Sequence, residues 1–223
     1  MSKNLFITAT GTDVGKTYIS ALIVKKMREF GYNCGYFKPV MSGVVEKNGK
    51  LIESDCNYVV KTANIPVEAE NCVTYWWKEA VSPHLASQRA GMEIELQKIL
   101  NDFKRKTRQY DYLLIEGAGG ITCPLKLQNG EKYLLSDLIS ELKTPIVVVA
   151  DGGLGTINST LLTVEYARAN NIKVNGIIFN NFNAASFMQN DNIIQTEYLT
   201  GVKVVAKVAK NATDIELLEN LFE

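Results

Sequence analysis

Nine consecutive residues, Ala9-Thr10-Gly11-Thr12-Asp13-Val14-Gly15-Lys16-Thr17, combine small residues, hydroxyls and one lysine in a way that can hold a triphosphate. The β-rich run Leu5-Phe6-Ile7-Thr8 precedes them. Ile19, Leu22, Ile23 and Met27 follow at helical spacing. A loop passing from strand into helix exposes the first N–H groups of the helix, which lack intrahelical partners and can cradle an anion. Gly15 lets the backbone approach closely, Lys16 can reach the β- and γ-phosphates, and the Thr17 hydroxyl can ligate Mg²⁺. The usual phosphate-loop pattern has glycine where this chain has Thr10, so an ordinary strand–turn–helix containing Gly-Lys-Thr is the plain alternative. The flanking strand and helix favour the phosphate loop.

A Mg²⁺ site also needs carboxylates, and in parallel α/β sheets ligand groups gather beyond the carboxyl ends of strands. Glu116 stands there, directly after Tyr112-Leu113-Leu114-Ile115 and before Gly117-Ala118-Gly119-Gly120, a turn with room for a phosphate. Lys38 ends the run Cys34–Phe37, which in the simplest topology lies beside the first strand and faces the same crevice.

The elements that must position these residues read as an α/β alternation, a mostly parallel sheet flanked by helices, in one P-loop NTPase domain over residues 1–223. Helices are predicted over Thr17–Phe30, Asn57–Thr62 (capped by Ser54-Asp55), Met92–Arg108, Thr156–Ala169 and Asp214–Phe222. Further strands are predicted over Ile146–Ala150, Val174–Phe179 and Val202–Val208. Met41–Ile52 reads as a polar loop with an Asn48-Gly49 turn, and Gln128-Asn129-Gly130 as a hairpin turn.

With 24 basic and 24 acidic residues, the chain has no charge excess to suggest nucleic acid or a strongly charged partner. The N-terminus lacks the apolar core of a signal peptide, and Ile146–Ala150 is far too short to span a bilayer, so a cytoplasmic protein is expected. Cys34, Cys56, Cys72 and Cys123 lie far apart with no C-x-x-C pair, which fits reduced thiols better than zinc or disulfides.

Together these segments resemble dethiobiotin synthetase over nearly the whole chain. The resemblance rests on Thr10–Thr17, Lys38-Pro39-Val40-Met41-Ser42-Gly43, Ser82-Pro83-His84 and Glu116–Gly120, with Ser54-Asp55 and Leu154-Gly155-Thr156-Ile157-Asn158 also matching. It implies ligase chemistry in biotin synthesis. One amine of 7,8-diaminopelargonic acid captures CO₂ (or bicarbonate) as a carbamate, ATP phosphorylates the carbamate, and the second amine closes the urea ring. It further implies catalytic roles for Lys16, Lys38 and Thr12, and Mg²⁺ on Thr17, Asp55 and Glu116. The nucleotide would lie on Asp13, Val14, Gly15, Lys16, Thr17, Glu116, Gly117, Ala118 and Gly119, with its base at Asn180 and Asn181. Ser42, Thr12 and Lys38 would meet the diamine or its carbamate. Gly155 and Asn158 of a neighbouring subunit would receive the substrate's carboxylate tail, which makes the protein a homodimer. No nucleic-acid or membrane partner is implied.

The chain departs from the family pattern at Ala9, Gly11 and Asp13, and has Ala206-Lys207-Val208-Ala209 where familiar members have Gly-Glu-Ile-Pro. Asp13 is one methylene shorter than the family's common Glu, which bears on a γ-phosphate or substrate contact, and the late segment falls where the base is normally enclosed, which bears on nucleotide selectivity. His84, the single histidine, reads as structural. Tyr75-Trp76-Trp77 reads as core or dimer packing rather than a stacking platform, and Lys104–Arg108 as a solvated run offsetting a helix dipole. The main rival is a partitioning-class switch ATPase acting by nucleotide-dependent dimerisation. Its signature lysine, five residues before the P-loop lysine, is Gly11 here, and the tail Asp214–Glu219 is acidic rather than basic. An amidotransferase and a non-catalytic nucleotide module are lesser rivals.

Overall fold

Strands buried on both faces and helices with one apolar stripe can hide their surfaces only by layering, and they do so as a sheet between helices. A computed structural model describes residues 2–128, 130–216 and 221–222. In chain order the elements are β1 (Lys3–Ala9), α1 (Lys16–Glu29), β2 (Cys34–Ser42), β3 (Val45–Lys47), β4 (Lys50–Glu53), α2 (Asp55–Thr62), β5 (Val73–Trp77), α3 (Pro83–Ala90), α4 (Leu96–Thr107), β6 (Tyr112–Glu116), β7 (Pro124–Gln128), β8 (Glu131–Leu134), α5 (Leu135–Leu142), β9 (Ile146–Asp151), α6 (Thr156–Ala169), β10 (Val174–Asn180), α7 (Phe187–Thr200) and β11 (Val204–Lys207).

The main sheet has seven strands in the order β11-β10-β9-β1-β6-β2-β5, and all its pairings are parallel. Alternation along the strands sorts the core into two layers. Leu5, Ile7, Leu114 and Val149 pack with Ile19 and Ile23 of α1. Phe6, Ile115 and Val148 pack with Leu138 and Ile139 of α5 and Val164 of α6.

Several expectations are corrected. β2 is not beside β1, because β6 lies between them. That order places Glu116 centrally, with β1 on one side and β2 on the other. β2 also does not stop at Lys38-Pro39 but continues to Ser42. Pro39 lies past the last β2–β6 partners, Phe37 and Ile115, where the β6 ladder has ended and its missing N–H leaves no gap. The polar stretch after Met41 contains the β3–β4 hairpin. Of the terminal helix predicted over Asp214–Phe222, Asp214–Glu216 are not helical, residues 217–220 lie outside the described residues, and Leu221-Phe222 form a turn. Phe222 meets Tyr112 edge to face at 5.4 Å. Within the charged run, Lys106 is buried rather than solvated. It donates to the Asn71 carbonyl and lies over the Phe37 ring.

The helix predicted over Met92–Arg108 begins only at Leu96, and β5, α3, α5 and α7 have no counterpart among the predicted elements. Other readings agree. Ser54 caps α2, its hydroxyl accepting from the Asn57 N–H at 3.1 Å, which sets Asp55 at the first helical position. The Gln128–Gly130 turn joins β7 to β8 as a hairpin, with Asn129 itself outside the described residues. Tyr75 and Trp77 stack in the core, as the packing reading expected.

Candidate active site

The loops following β1, β2 and β6 leave from the same edge of the sheet, and a cavity of about 920 Å³ opens among them. Thr12, Asp13, Gly15, Lys16 and Thr17 line it from the first loop, Lys38 and Ser42 from β2, Asp55 from α2, and Glu116, Ala118 and Gly119 from β6 and its turn. Residues from four separate segments of the sequence thus share one space, as the parallel topology requires.

The loop owes its shape to Gly15, the N-cap of α1 at φ 96° and ψ 28°, a region that L side chains rarely adopt. The first turn of α1 carries no acidic residue, so its N–H groups and positive dipole end stay available to an anion. Lys16 opens the helix, and its ammonium donates to the Gly11 carbonyl at 3.0 Å. Burial lowers its pKa from the usual lysine value, and repulsion from Lys38 adds to the effect. At Gly117 a Cβ would meet Leu135 at 2.6 Å and Phe6 at 3.0 Å, so the turn after β6 packs against the core only as glycine.

Glu116 is the hub. It is 0% exposed. Its Oε1 accepts from Thr17 Oγ1 at 2.8 Å and from Lys38 Nζ at 2.5 Å, while Oε2 accepts from the Tyr36 hydroxyl at 2.9 Å. Lys38, 3% exposed, also pairs with Asp55 Oδ2 at 2.7 Å. Burial on its own would lower the Lys38 pKa, but Glu116 and Asp55 outweigh it and raise the value above that of an ordinary lysine. Asp55 shows the converse. Burial pushes its carboxyl up, yet the charge and hydrogen bond of Lys38 hold it below the usual carboxylate range. Glu116 is fully buried and shares Lys38 with the partly exposed Asp55, so the ammonium supplies the positive charge that the two carboxylates need.

A hydroxyl and two carboxylates on one spot form a hard oxygen donor set that suits Mg²⁺. Among the described residues no cluster of three or more His, Cys, Asp or Glu could hold a metal. A cation here would therefore draw its remaining ligands from phosphate oxygens and water, the usual habit of Mg²⁺. Cys123 also lines the cavity; burial pushes its thiol up to about 11, against the pull of Lys16 and Lys38.

Sequence reasoning missed Tyr36, Tyr58, Ala80 and Val81 on the cavity wall, while Ser82 and Pro83 beside them belong to the Ser82-Pro83-His84 segment of the resemblance. A signal for Tyr36 existed, since it stands two residues before Lys38 and strand alternation puts both on one face. Tyr58, Ala80 and Val81 arrive by tertiary packing and carry no local mark.

Asn180 and Asn181 lie outside this cavity but next to the loop. The Asn180 amide donates to the Val14 carbonyl at 3.0 Å, and its Oδ1 is buried without a partner. Asn181, at φ 55°, donates to Asp151 Oδ2 at 2.7 Å. Gly155 and Asn158 are exposed and are not brought to this chain's own cavity. The loop that carries Gly155 is tied down through Asp151 Oδ1, which accepts from the Gly153 N–H, and through the Asn192 amide, which donates to the Gly152 and Gly153 carbonyls. Asn192 on α7 was likewise not anticipated.

A protein-family profile described as an AAA domain matches residues 3–214. The ATP-dependent dethiobiotin synthetase BioD of Brachyspira hyodysenteriae is 44% identical over 225 residues, covering 100% of both chains. The protein of that name from Clostridium botulinum (strain 657 / Type Ba4) is 49% identical over 192 residues, 86% of this chain and 84% of that one. The chain belongs to the dethiobiotin synthetase family. Its fold also resembles solved structures of lower identity. The MinC:MinD cell division complex of Aquifex aeolicus gives a TM-score of 0.56 at 12% identity, covering 99% of this chain and 85% of that one. A ParA family ATPase from Chlorobium tepidum gives 0.55 at 10%, covering 94% and 85%. At such identity these neighbours establish the P-loop α/β fold alone, whereas the dethiobiotin synthetases match in sequence across the chain. Among the described residues of this family member, no helix is long and apolar enough to cross a membrane.

Proposed function

We propose that this protein uses ATP and Mg²⁺ to carboxylate 7,8-diaminopelargonic acid and close its urea ring, giving dethiobiotin in biotin synthesis. The observation that carries the reading is the meeting of Lys16, from the start of α1, and Lys38, from within β2, with Asp55 and Glu116 in one cavity. A carbamate and a triphosphate are both anions, and cations fixed around both oxyanions reduce their repulsion and orient the pair in line.

One substrate amine adds to CO₂ and loses a proton, leaving a carbamate. A carbamate oxygen takes the γ-phosphoryl group and ADP departs. The second amine then attacks the carbamoyl carbon, phosphate leaves, and the five-membered ring closes. Lys16 holds the γ-phosphate, the exposed Thr12 and the N–H groups of Asp13–Thr17 bind its oxygens, and Lys38 stabilises the charge passing from donor to acceptor. Ser42, further along β2 on the cavity wall, meets the diamine. Thr17, Asp55 and Glu116 hold Mg²⁺, which neutralises charge on the phosphates. Gly117, Ala118 and Gly119 leave room beside them. The buried, unpartnered Oδ1 of Asn180 suits the exocyclic amine of the base, with Asn181 alongside.

The test is direct. Protein, ATP, Mg²⁺, bicarbonate and the diamine should yield dethiobiotin by mass, with phosphate release dependent on the diamine. Release indifferent to the diamine would favour the switch ATPase.

The substrate tail is assigned to Gly155 and Asn158 of a second copy. Gly155 caps α6 at φ 88°, with no acidic residue in the first turn, which suits a carboxylate. An inverted surface supports the dimer. α6 and α7 bury Thr156, Thr160 and Thr196 with hydroxyls that lack partners. Leu154 is meanwhile 93% exposed, Phe187 89% and Tyr198 82%, with Leu162 and Ile194 also exposed. Apolar side chains on that scale mark a face that a partner covers. Wild-type protein should sediment as a dimer, and Tyr198→Glu as a monomer with nucleotide affinity intact. A wild type that stays monomeric at high concentration would remove the shared site.

A further inference from the structure

Tyr36 belongs to none of the motifs that mark the family, yet it is the sole hydrogen-bond partner found for one oxygen of Glu116 among the described residues. It is 1% exposed and packs in the core layer that holds α1 and α2. In register it stands opposite Leu114, and its hydroxyl reaches diagonally, one step along that face, to Glu116 Oε2. A long aromatic side chain can span that diagonal. The other oxygen, Oε1, is the one turned to Thr17 and Lys38.

A carboxylate at a metal site can bind through one oxygen or both, and can rotate between them. With Oε2 held by a phenol fixed in the core, Glu116 offers Oε1 alone toward Thr17 and Asp55. The geometry points to Tyr36 as a positioning residue for the divalent cation, one that fixes which oxygen of Glu116 the cation receives and the direction in which it is presented. This inference rests on the assignment of Mg²⁺ to Thr17, Asp55 and Glu116. Tyr36 touches neither substrate nor nucleotide; it acts through Glu116, as partners of metal ligands commonly do.

Tyr36→Phe removes one oxygen and keeps the ring in its core position. Mg²⁺ affinity is read by calorimetry on protein holding a non-hydrolysable ATP analogue, alongside affinity for the same analogue in chelator. Loss of such a partner costs metal affinity about tenfold or more, so the variant should bind Mg²⁺ about tenfold more weakly. Metal-free nucleotide affinity should stay unchanged, and turnover should recover at high Mg²⁺. Unchanged Mg²⁺ affinity, or an equal loss of metal-free nucleotide affinity, overturns the role. Thr17→Val and Asp55→Asn separate the two levels of the reading. If both weaken Mg²⁺ binding and Tyr36→Phe does not, the positioning role alone falls. If neither does, the metal assignment beneath it falls too. Thermal unfolding of each variant checks that the folded state is intact.

Discussion

Replacing Lys38 by alanine is expected to lower kcat by about two to three orders of magnitude while nucleotide affinity changes by no more than about threefold, the pattern of a group that acts on the transition state. Lys38 enters the cavity from β2, away from the loop that holds the triphosphate, so the chemical step should suffer most. The same change has a structural cost. It leaves Glu116 and Asp55 facing each other without the ammonium that now lies 2.5 Å and 2.7 Å from them. Removing one partner of a buried ion pair costs about 3–5 kcal/mol, and the lower end fits because the Asp55 side chain keeps 40% of its exposure. Added Mg²⁺ should recover part of that loss, since it supplies the missing positive charge. Steady-state kinetics, nucleotide titration and thermal unfolding with and without Mg²⁺ read the three effects separately. Equal loss of turnover and nucleotide affinity would place Lys38 in nucleotide binding instead, and would remove the main support for its part in phosphoryl transfer.

Gly15→Ala should fail in the complementary way, by loss of binding. A side chain at φ 96° is strained, and its Cβ would sit 2.1 Å from Asn180 Nδ2. Asn180 cannot simply swing aside, because it is buried and bonded to the Val14 carbonyl. Left-handed strain costs about 1–2 kcal/mol and a lost hydrogen bond about 1 kcal/mol. The loop is expected to relax out of this shape, and a nucleotide that must restore it would then bind about a hundredfold more weakly. The substitution also disturbs the residue assigned to the base, so phosphate and base recognition should fall together. Gly31→Ala is the control. It sits at φ 85° with nothing within 4 Å of a new Cβ, so it should lower stability and leave nucleotide affinity untouched. A Gly15→Ala protein that binds ATP normally would show that the loop tolerates a different backbone from the one described.

The phosphate loop, the strand before it and the helix after it were legible because they are local. Gly15, Lys16 and Thr17 derive their roles from immediate neighbours, and the period of the apolar residues states the element type. Thr156–Ala169 was legible to the residue for the same reason. The same method lost α7, because its buried residues are Asn192, Thr196 and Thr200 while Phe187, Ile194, Tyr198 and Leu199 face outward. A hydrophobic period cannot report a helix whose apolar side awaits a partner. It also extended the last helix over Asp214–Glu216, where spacing looked helical but the backbone turns elsewhere.

From residue types and short-range spacing alone, the sequence determined that a strand would deliver a phosphate loop to a helix, and that Glu116 would stand at a strand end before a glycine-rich turn. Only the tertiary structure decided that β6 runs between β1 and β2, which sets Glu116 within reach of both Thr17 and Lys38 and brings Tyr36 to its other oxygen. Strand order follows from how crossover helices pack on the two faces of the sheet, a sum of many distant contacts. No single stretch of the chain encodes that sum, whereas a glycine that must adopt a left-handed turn carries its requirement in its own chemistry.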